Sequence, residues 1–158
     1  MQKSMTLIRV LFDTNVLIYA HDSASIYHLE AADLLVKVFD SRIQGVVAEQ
    51  VLIETYRTLT NRSAMANNPL KPEQARSLIR QTYLKGRFEI LYPSSITVDH
   101  TLDLAVDRQV TSAKIFDLRL ASMAVENSVD YLTTYNTKDF QNILGLTVLT
   151  PLQILLLI

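Results

Sequence analysis

Ile8-Arg9-Val10-Leu11-Phe12-Asp13-Thr14-Asn15 is an apolar run that ends abruptly on a carboxylate, a hydroxyl and a carboxamide. Its β-branched and aromatic residues are typical of an interior strand, and the apolar residues 16–20 that follow suit a helix. Asp13 is therefore predicted at the carboxyl end of a first strand, where open α/β sheets bind their ligands. An Asp at such a position more often caps the next helix or forms an Asx-turn, so this stretch alone does not establish a site.

Length and composition restrict the class of protein. A chain of 158 residues with 49% hydrophobic residues fits a single domain, residues 1–158, with a substantial core. Cys is absent and Gly numbers three, which excludes disulfide frameworks, thiolate metal sites and the Gly-rich phosphate loops of ATPases and Rossmann folds. The net charge of −1 provides no global basic field. A polyanionic ligand must therefore be met by a local patch or through metal ions.

The ends of the chain bear on its location. The segment Met1–Leu7 lacks a sustained apolar core with a cleavage site, and the apolar tail Leu152–Ile158 is far shorter than a membrane span. We therefore expect no membrane association and a cytoplasmic protein. The tail either packs on the domain or contacts a partner, and both interpretations stay open.

The order of predicted elements indicates the fold class. Apolar runs predict five strands, and amphipathic spacing predicts helices between them. The strands are expected at residues 8–12, 45–48, 88–92, 131–134 and 146–149. Helices are expected at residues 16–20, 29–39, 50–61, 72–85 and 95–109, and a further helix that includes residues 117–125 is expected after the Thr111-Ser112 break. This alternation implies an α/β fold with a mainly parallel sheet and helices on both faces.

Acidic and amide side chains are expected to gather at one edge of that sheet. In a parallel α/β sheet the crossover helices begin at the edge where the strands end. Asp13 ends the first strand, and Asn136 follows the fourth. Glu54 and Asp117 lie early in two of the helices. Crowded carboxylates repel one another unless a cation neutralises them, which favours a hard divalent metal with oxygen ligands, Mg²⁺ or Mn²⁺.

Four segments carry a family resemblance that covers the chain from about Ile8 to Pro151. They resemble, in order, the motifs of PIN domains, a family that includes the VapC-like toxins of toxin–antitoxin modules. The segments are Leu11-Phe12-Asp13-Thr14-Asn15, Val51-Leu52-Ile53-Glu54, Ile115-Phe116-Asp117-Leu118-Arg119-Leu120-Ala121 and Leu132-Thr133-Thr134-Tyr135-Asn136-Thr137-Lys138-Asp139-Phe140. The resemblance implies a three-layer sandwich with a five-stranded sheet flanked by helices. It also implies Mg²⁺- or Mn²⁺-dependent cleavage of RNA.

The resemblance assigns roles to individual residues. It implies that Asp13, Glu54 and Asp117 are metal ligands. Asn136 occupies a fourth catalytic position that is often Asp in the family, and Asp139 matches a second, less central acid, so a second metal site is in doubt. Thr14, Asn15 and Thr134 are candidates, with Asp139, for positioning water or phosphate. The alternatives for the first three are a cap, a helix-start residue and an ordinary strand residue.

These observations lead to one functional expectation and two alternatives. We expect a Mg²⁺-dependent endoribonuclease, the toxin of a type II toxin–antitoxin module, with RNA as substrate, an antitoxin protein as partner and a homo-oligomeric state. The first alternative is a non-catalytic RNA-binding or protein-interaction module, which Asn136 favours and the three acids oppose. The second is a phosphoacceptor signalling domain, which requires an acidic pair after the first strand, where Asp13 stands alone.

Overall fold

The computed structural model describes residues 6–158, so the first five residues of the predicted domain lie outside the described residues. The strands are β1 Arg9–Phe12, β2 Gln44–Ala48, β3 Glu89–Leu91, β4 Tyr131–Thr133 and β5 Val148–Leu149. The helices are α1 Thr14–His21, α2 His28–Phe39, α3 Glu49–Leu59, α4 Pro72–Ile79, α5 Ser95–Asp107, α6 Ile115–Glu126 and α7 Pro151–Leu155.

The five strands form one sheet in the order β3-β2-β1-β4-β5. Every neighbouring pair is parallel, which confirms the predicted parallel α/β architecture. β1 occupies the centre, and its residues Val10, Leu11 and Phe12 are fully buried. A strand covered on both faces must be apolar throughout, which explains why the opening run of the sequence does not alternate with polar residues.

The strand order reverses beside β1, since the chain moves one way through β2 and β3 and then returns to β4 on the other side. Right-handed crossovers then place the helices of the two halves on opposite faces of the sheet. The packing agrees, because α7, α2, α1, α3 and α4 contact one another in that order, whereas α5 packs on α6. The expected flanked sheet is confirmed, and the crevice between β1 and β4 is a topological switch point, the usual ligand position in such folds.

Several element boundaries differ from the sequence expectation. β4 ends at Thr133, because the hydroxyl of Thr134 accepts a hydrogen bond from the backbone N of Asn136 at 2.9 Å and turns the chain. The helix predicted for residues 72–85 continues from α4 as a π-helical turn, Arg80–Leu84, which brings Tyr83 into the core. A short 3₁₀ turn, Ser112–Lys114, precedes α6.

The apolar tail forms α7, which packs against α2. Its Ile154 is buried, whereas Leu152 and Leu156 are exposed. One face of the tail thus docks on the domain and another remains open to solvent. Across residues 6–158, we find no helix that combines the length and the apolarity needed to cross a membrane.

Candidate active site

A cavity of about 390 Å³ opens at the carboxyl edge of the sheet, beside the crevice between β1 and β4. The four residues for which the sequence predicts a shared position, Asp13, Glu54, Asp117 and Asn136, all line it. They come from the end of β1, the second turn of α3, the first turn of α6 and the segment after β4. Thr14 and Asn15 line the same cavity. The parallel topology therefore collects side chains that lie more than 120 residues apart in the chain.

Asp13 serves both as a helix cap and as part of this cavity wall. It is the N-cap of α1, and its Oδ1 accepts a hydrogen bond from the backbone N of Thr14 at 2.7 Å. Its Oδ2 accepts hydrogen bonds from the Thr134 hydroxyl at 2.7 Å and the Asn15 amide at 3.3 Å. The cap interpretation and the site interpretation are thus compatible, because one carboxylate oxygen serves mainly the helix while the other is held by side chains.

Thr134 and Asn15 form the hydrogen-bonding frame behind Asp13. Thr134 is fully buried, and its hydroxyl also accepts from the Asn15 side-chain amide at 3.0 Å. The Asn15 carbonyl oxygen Oδ1 accepts from the backbone N of Tyr135 at 3.2 Å. The Thr134 hydroxyl is therefore directed at the Asp13 carboxylate inside the protein. These contacts fix the orientation of Asp13 relative to the segment after β4.

Glu54 is held from two directions. The Thr14 hydroxyl donates to its Oε2 at 2.5 Å, and the Gln50 amide approaches its Oε1 at 3.4 Å. Gln50 is buried, donates to the Phe116 carbonyl at 3.1 Å and accepts a hydrogen bond from Arg119. Gln50 was not among the residues predicted from the sequence. Its spacing of four residues from Glu54 on one helix was the available signal, whereas its contacts with α6 require the folded chain.

The electrostatics of the cavity show that the acids are crowded. Burial raises the pKa of the Asp13 carboxyl, its hydrogen bonds from Thr134 and Thr14 lower that pKa, and the charges of Glu54 and Asp139 raise it. The pKa of Asp117 is raised to about 6 by burial and by the negative charges of Asp13, Asp139 and Glu54, against a smaller lowering by Lys114. Ionising both groups therefore costs free energy unless a cation compensates.

Asp139, which the family resemblance matches to a less central acid, lies close enough to the other carboxylates for its charge to raise the pKa of both Asp13 and Asp117. It accepts a hydrogen bond from the side-chain amide of Asn136. This contact turns the amide nitrogen of Asn136 toward Asp139 and leaves its carbonyl oxygen as the group it can offer to a cation or a water. A fourth carboxylate thus contributes to the field at the cavity.

The carboxylate oxygens that line the cavity are suitable ligands for a hard divalent cation. Carboxylates that raise one another's pKa are the oxygen donors that Mg²⁺ and Mn²⁺ prefer. The arrangement is not a closed cage, however, since residues 6–158 contain no group of three or more His, Asp or Glu side chains already placed to hold a metal. One physical reason is the hydrogen bond from Thr14 to Glu54, which draws that carboxylate oxygen toward α1.

A second cavity, of about 380 Å³, adjoins the first and shares Asp117 with it. Three cations, Arg108, Lys114 and Lys138, line it together with Asp139. From the sequence, Lys114 and Lys138 are predicted, together with Arg57, Arg62 and Arg119, as a possible local track for an RNA backbone. Arg119 instead forms an ion pair with Glu49, and Arg57 and Arg62 are exposed.

A larger and mostly apolar groove, of about 620 Å³, lies between α3, α4 and β3. Leu52, Ile53, Tyr56, Ile79 and Ile90 contribute to its walls. Asp13, Glu54, Asp117 and Asp139 do not line this groove. The cavity of about 390 Å³ at the sheet edge is the candidate active site, because it gathers Asp13 and Asp117, the carboxylates whose pKa values are raised.

The sequence profile of the PIN domain matches residues 10–145, which is most of the chain. The chain belongs to the PIN domain family. A comparison with curated protein sequences finds no significant match. Several solved structures are similar to this PIN domain over nearly their whole length.

Three of these structures illustrate the similarity. A toxin–antitoxin complex from Klebsiella pneumoniae is 22% identical with a TM-score of 0.58, covering 90% of this chain and 97% of that chain. VapBC2 from Rickettsia felis, bound to a DNA fragment from its promoter, is 20% identical with a TM-score of 0.63, covering 90% and 98%. VapC20 from Mycobacterium tuberculosis, a Sarcin-Ricin loop cleaving toxin, is 13% identical with a TM-score of 0.62, covering 83% and 92%. At these identities the likeness establishes a shared fold.

Proposed function

We propose that this PIN domain is a divalent-metal-dependent endoribonuclease that hydrolyses RNA phosphodiester bonds. The observation that carries the proposal is the cavity at the switch point of the sheet, lined by Asp13, Glu54, Asp117 and Asn136. Carboxylates brought together at a free-energy cost are typical of a site kept for chemistry. The fold similarity to a toxin described as cleaving the Sarcin-Ricin loop supports RNA as the substrate class.

Each residue of the cavity then has a role. Asp13, Glu54 and Asp117 would hold Mg²⁺ or Mn²⁺, which when bound supplies a more acidic water and positive charge beside the phosphate. Thr134 and Asn15 orient Asp13 through their hydrogen bonds, and Thr14 orients Glu54. Thr14 and Asn15 also line the cavity and are candidates for positioning water, with their side-chain donors already given to Glu54, Asp13 and Thr134.

Asn136 sets the number of metals that the site holds. A carboxamide offers one neutral carbonyl oxygen, where Asp offers a full negative charge. We propose that one metal is held firmly, and that a second is held only weakly until the substrate phosphate adds its oxygens. Asp139 remains a further acid beside this position and a candidate for positioning water.

The adjoining cavity provides positive charge that complements the negative phosphates of RNA. Arg108, Lys114 and Lys138 give it three positive charges beside Asp117. A phosphate next to the cleaved one would meet these cations, because single-stranded nucleic acid places its phosphates at short and regular intervals. The small net charge of the chain is therefore no obstacle to RNA binding.

We also propose that the biological setting is a toxin–antitoxin module in the cytoplasm, with a cognate antitoxin protein and a homo-oligomeric toxin. The structural relatives from K. pneumoniae and R. felis are toxin–antitoxin assemblies. The exposed leucines Leu152 in α7 and Leu156 just after it add apolar surface that a second chain can cover. Light scattering over micromolar concentrations tests the oligomer, and a monodisperse monomer would contradict it. A co-encoded protein that suppresses cleavage when added in equimolar amount would identify the antitoxin.

The experiment that tests the enzymatic proposal is a Mg²⁺ and Mn²⁺ titration with a mixed RNA pool. We expect metal-dependent cleavage by the wild type and a loss of about 100-fold or more in Asp13→Asn and in Asp117→Asn. Asp99→Asn, an exposed Asp on α5, is the matched control and should cleave normally. Circular dichroism checks that each variant is folded.

Full cleavage by the Asp117→Asn protein would show that Asp117 is not part of the active site. Absence of cleavage by the wild type with either metal would favour the non-catalytic module that the sequence analysis left as an alternative.

A further inference from the structure

Three tyrosines from separate parts of the chain form a cluster beside the acidic cavity. Tyr19 lies in α1, Tyr27 precedes α2, and Tyr135 follows β4. The rings of Tyr27 and Tyr135 are stacked, with centroids 4.3 Å apart and planes inclined by 29°. Tyr19 lies 5.4 Å from Tyr27 and 5.3 Å from Tyr135, measured between ring centroids. These distances are typical of favourable aromatic pairs.

The cluster is fixed in position relative to the acids. The Tyr135 hydroxyl donates to Glu30 at 2.8 Å, and its backbone N donates to the Asn15 carbonyl oxygen, the same side chain whose amide contacts Asp13. Tyr19 itself lines the acidic cavity. Two separate links therefore join the tyrosines to the site, one through the cavity wall and one through Asn15.

Tyr27 is the outer member of the cluster. It is 38% exposed, whereas Tyr19 and Tyr135 are half-buried. The hydrogen bond and the packing already hold the stack, so an additional flat group can lie against it without reordering the aromatic side chains. A ring held in this way loses little conformational entropy when a ligand binds.

We propose that Tyr19, Tyr27 and Tyr135, the tyrosine platform, stack an unpaired base of the RNA next to the cleaved phosphodiester. This inference rests on the proposed ribonuclease function. Every base has a flat π-face, and stacking on an aromatic side chain contributes about 1–3 kcal/mol per base without requiring a particular sequence. Bases within a duplex are already stacked on their neighbours and would not be free to use the platform.

A protein segment is the rival occupant of this surface, because Ile26 and Leu29 flank Tyr27 in sequence and are exposed. A protein-docking surface, however, has no need of the two links to the acidic cavity. RNA is favoured because one ligand then uses three adjoining features, with a base on the tyrosine platform, a phosphate at the acids and a neighbouring phosphate at Arg108, Lys114 and Lys138.

The cleavage test compares Tyr27→Leu with Tyr27→Phe on an unpaired oligoribonucleotide. We expect Tyr27→Leu to raise KM about tenfold with kcat changed less than twofold, because the lost contact binds the substrate and takes no part in the chemistry. Tyr27→Phe keeps the ring and should behave as the wild type. Tyr92→Leu removes an exposed tyrosine from the apolar groove near β3 and is the matched control, with unchanged KM.

A binding test separates failure of the platform from failure of the ribonuclease proposal. Anisotropy of a fluorescein-labelled oligoribonucleotide is measured with Asp13→Asn, and with the same variant carrying Tyr27→Leu or Tyr92→Leu. We expect Tyr27→Leu to weaken binding about tenfold, and a single abasic position in the RNA to abolish that difference. Equal binding by the Tyr27→Leu and Tyr92→Leu proteins, or no RNA binding at all, would overturn the platform whether or not the wild type cleaves RNA. In that case the surface would be assigned to a protein partner.

Discussion

Asp117 shows at the scale of one residue how the cavity costs the protein stability. Its pKa is raised from 3.8 to about 6, so the folded state holds this proton at pH values where the unfolded state has released it. The carboxyl therefore favours folding at low pH, and that contribution is lost as the pH rises from about 4 to about 6. The full shift corresponds to about 3 kcal/mol, and solvent screening at this half-buried position reduces the expected effect to about 1–2 kcal/mol.

The prediction is that Asp117→Asn unfolds with a higher free energy than the wild type at pH 7 in EDTA, by about 1–2 kcal/mol. The difference should be much smaller near pH 4, where the folded wild-type carboxyl is protonated and the unfolded one is only partly ionised. Urea denaturation at the two pH values measures it. His21 does not interfere, because its buried imidazole, with a pKa lowered to about 4, is common to both proteins. A difference that is the same at pH 4 and pH 7 would contradict the assignment to ionisation.

Gly45 in β2 shows at the scale of one element why a strand needs a particular residue. A Cβ atom at this position would lie 2.6 Å from a ring carbon of Phe88 and 2.8 Å from a methyl carbon of Val38. Phe88 is itself held in edge contacts with Phe12 and Tyr83. The strand can therefore approach α2 and the segment before β3 only if it has no side chain here.

We predict that Gly45→Ala lowers the free energy of unfolding by about 1–3 kcal/mol, since Phe88 has to shift in a packed core. Urea denaturation of Gly45→Ala, Phe88→Leu and the double variant tests the cause. A double variant that loses less than the sum of the two single losses locates the clash at Phe88. Strictly additive losses would show that the destabilisation arises elsewhere.

Charge distribution is the feature that matters at the scale of the whole molecule. The net charge is only −1, yet the acids and the cations of the site lie in adjoining cavities that share Asp117. RNA binding should therefore depend on a few cations and only moderately on salt. If Arg108, Lys114 and Lys138 each neutralise one phosphate, the logarithm of the binding constant should fall with the logarithm of salt concentration with a slope of about −2.

Replacing these three cations with Gln should bring the slope close to zero and weaken binding at low salt. The matched control replaces Arg76, Arg80 and Lys85, three exposed cations of α4 and the turn after it, and should leave the slope unchanged. Anisotropy of labelled RNA at fixed Mg²⁺ and varied KCl provides the measurement. Equal slopes for the two triple variants would contradict a phosphate-binding role for the cation cavity.

Much of the fold was predictable because its signals are local. The apolar run of β1, the alternation of strands with amphipathic helices and the polar residues at strand ends can be read from short windows of the chain. The parallel sheet follows from that alternation, and the meeting of Asp13, Glu54, Asp117 and Asn136 at one cavity follows from the parallel sheet. Element ends were less predictable, since the end of β4 depends on a hydroxyl of Thr134 whose partners are set by packing.

The remaining features of the site join residues that no local pattern connects. Thr134 contacts Asp13 across 121 positions, Tyr135 contacts Glu30 across 105, and Arg119 reaches Glu49 across 70. Side chains of this kind read as ordinary strand, surface or helix residues until the strands are paired. Their roles depend on distances of a few ångströms between separate elements, because hydrogen bonds and aromatic stacking act only at contact. The acids could therefore be located from their positions at strand and helix ends, whereas the frame behind Asp13 and the tyrosine platform beside it exist only in the folded chain.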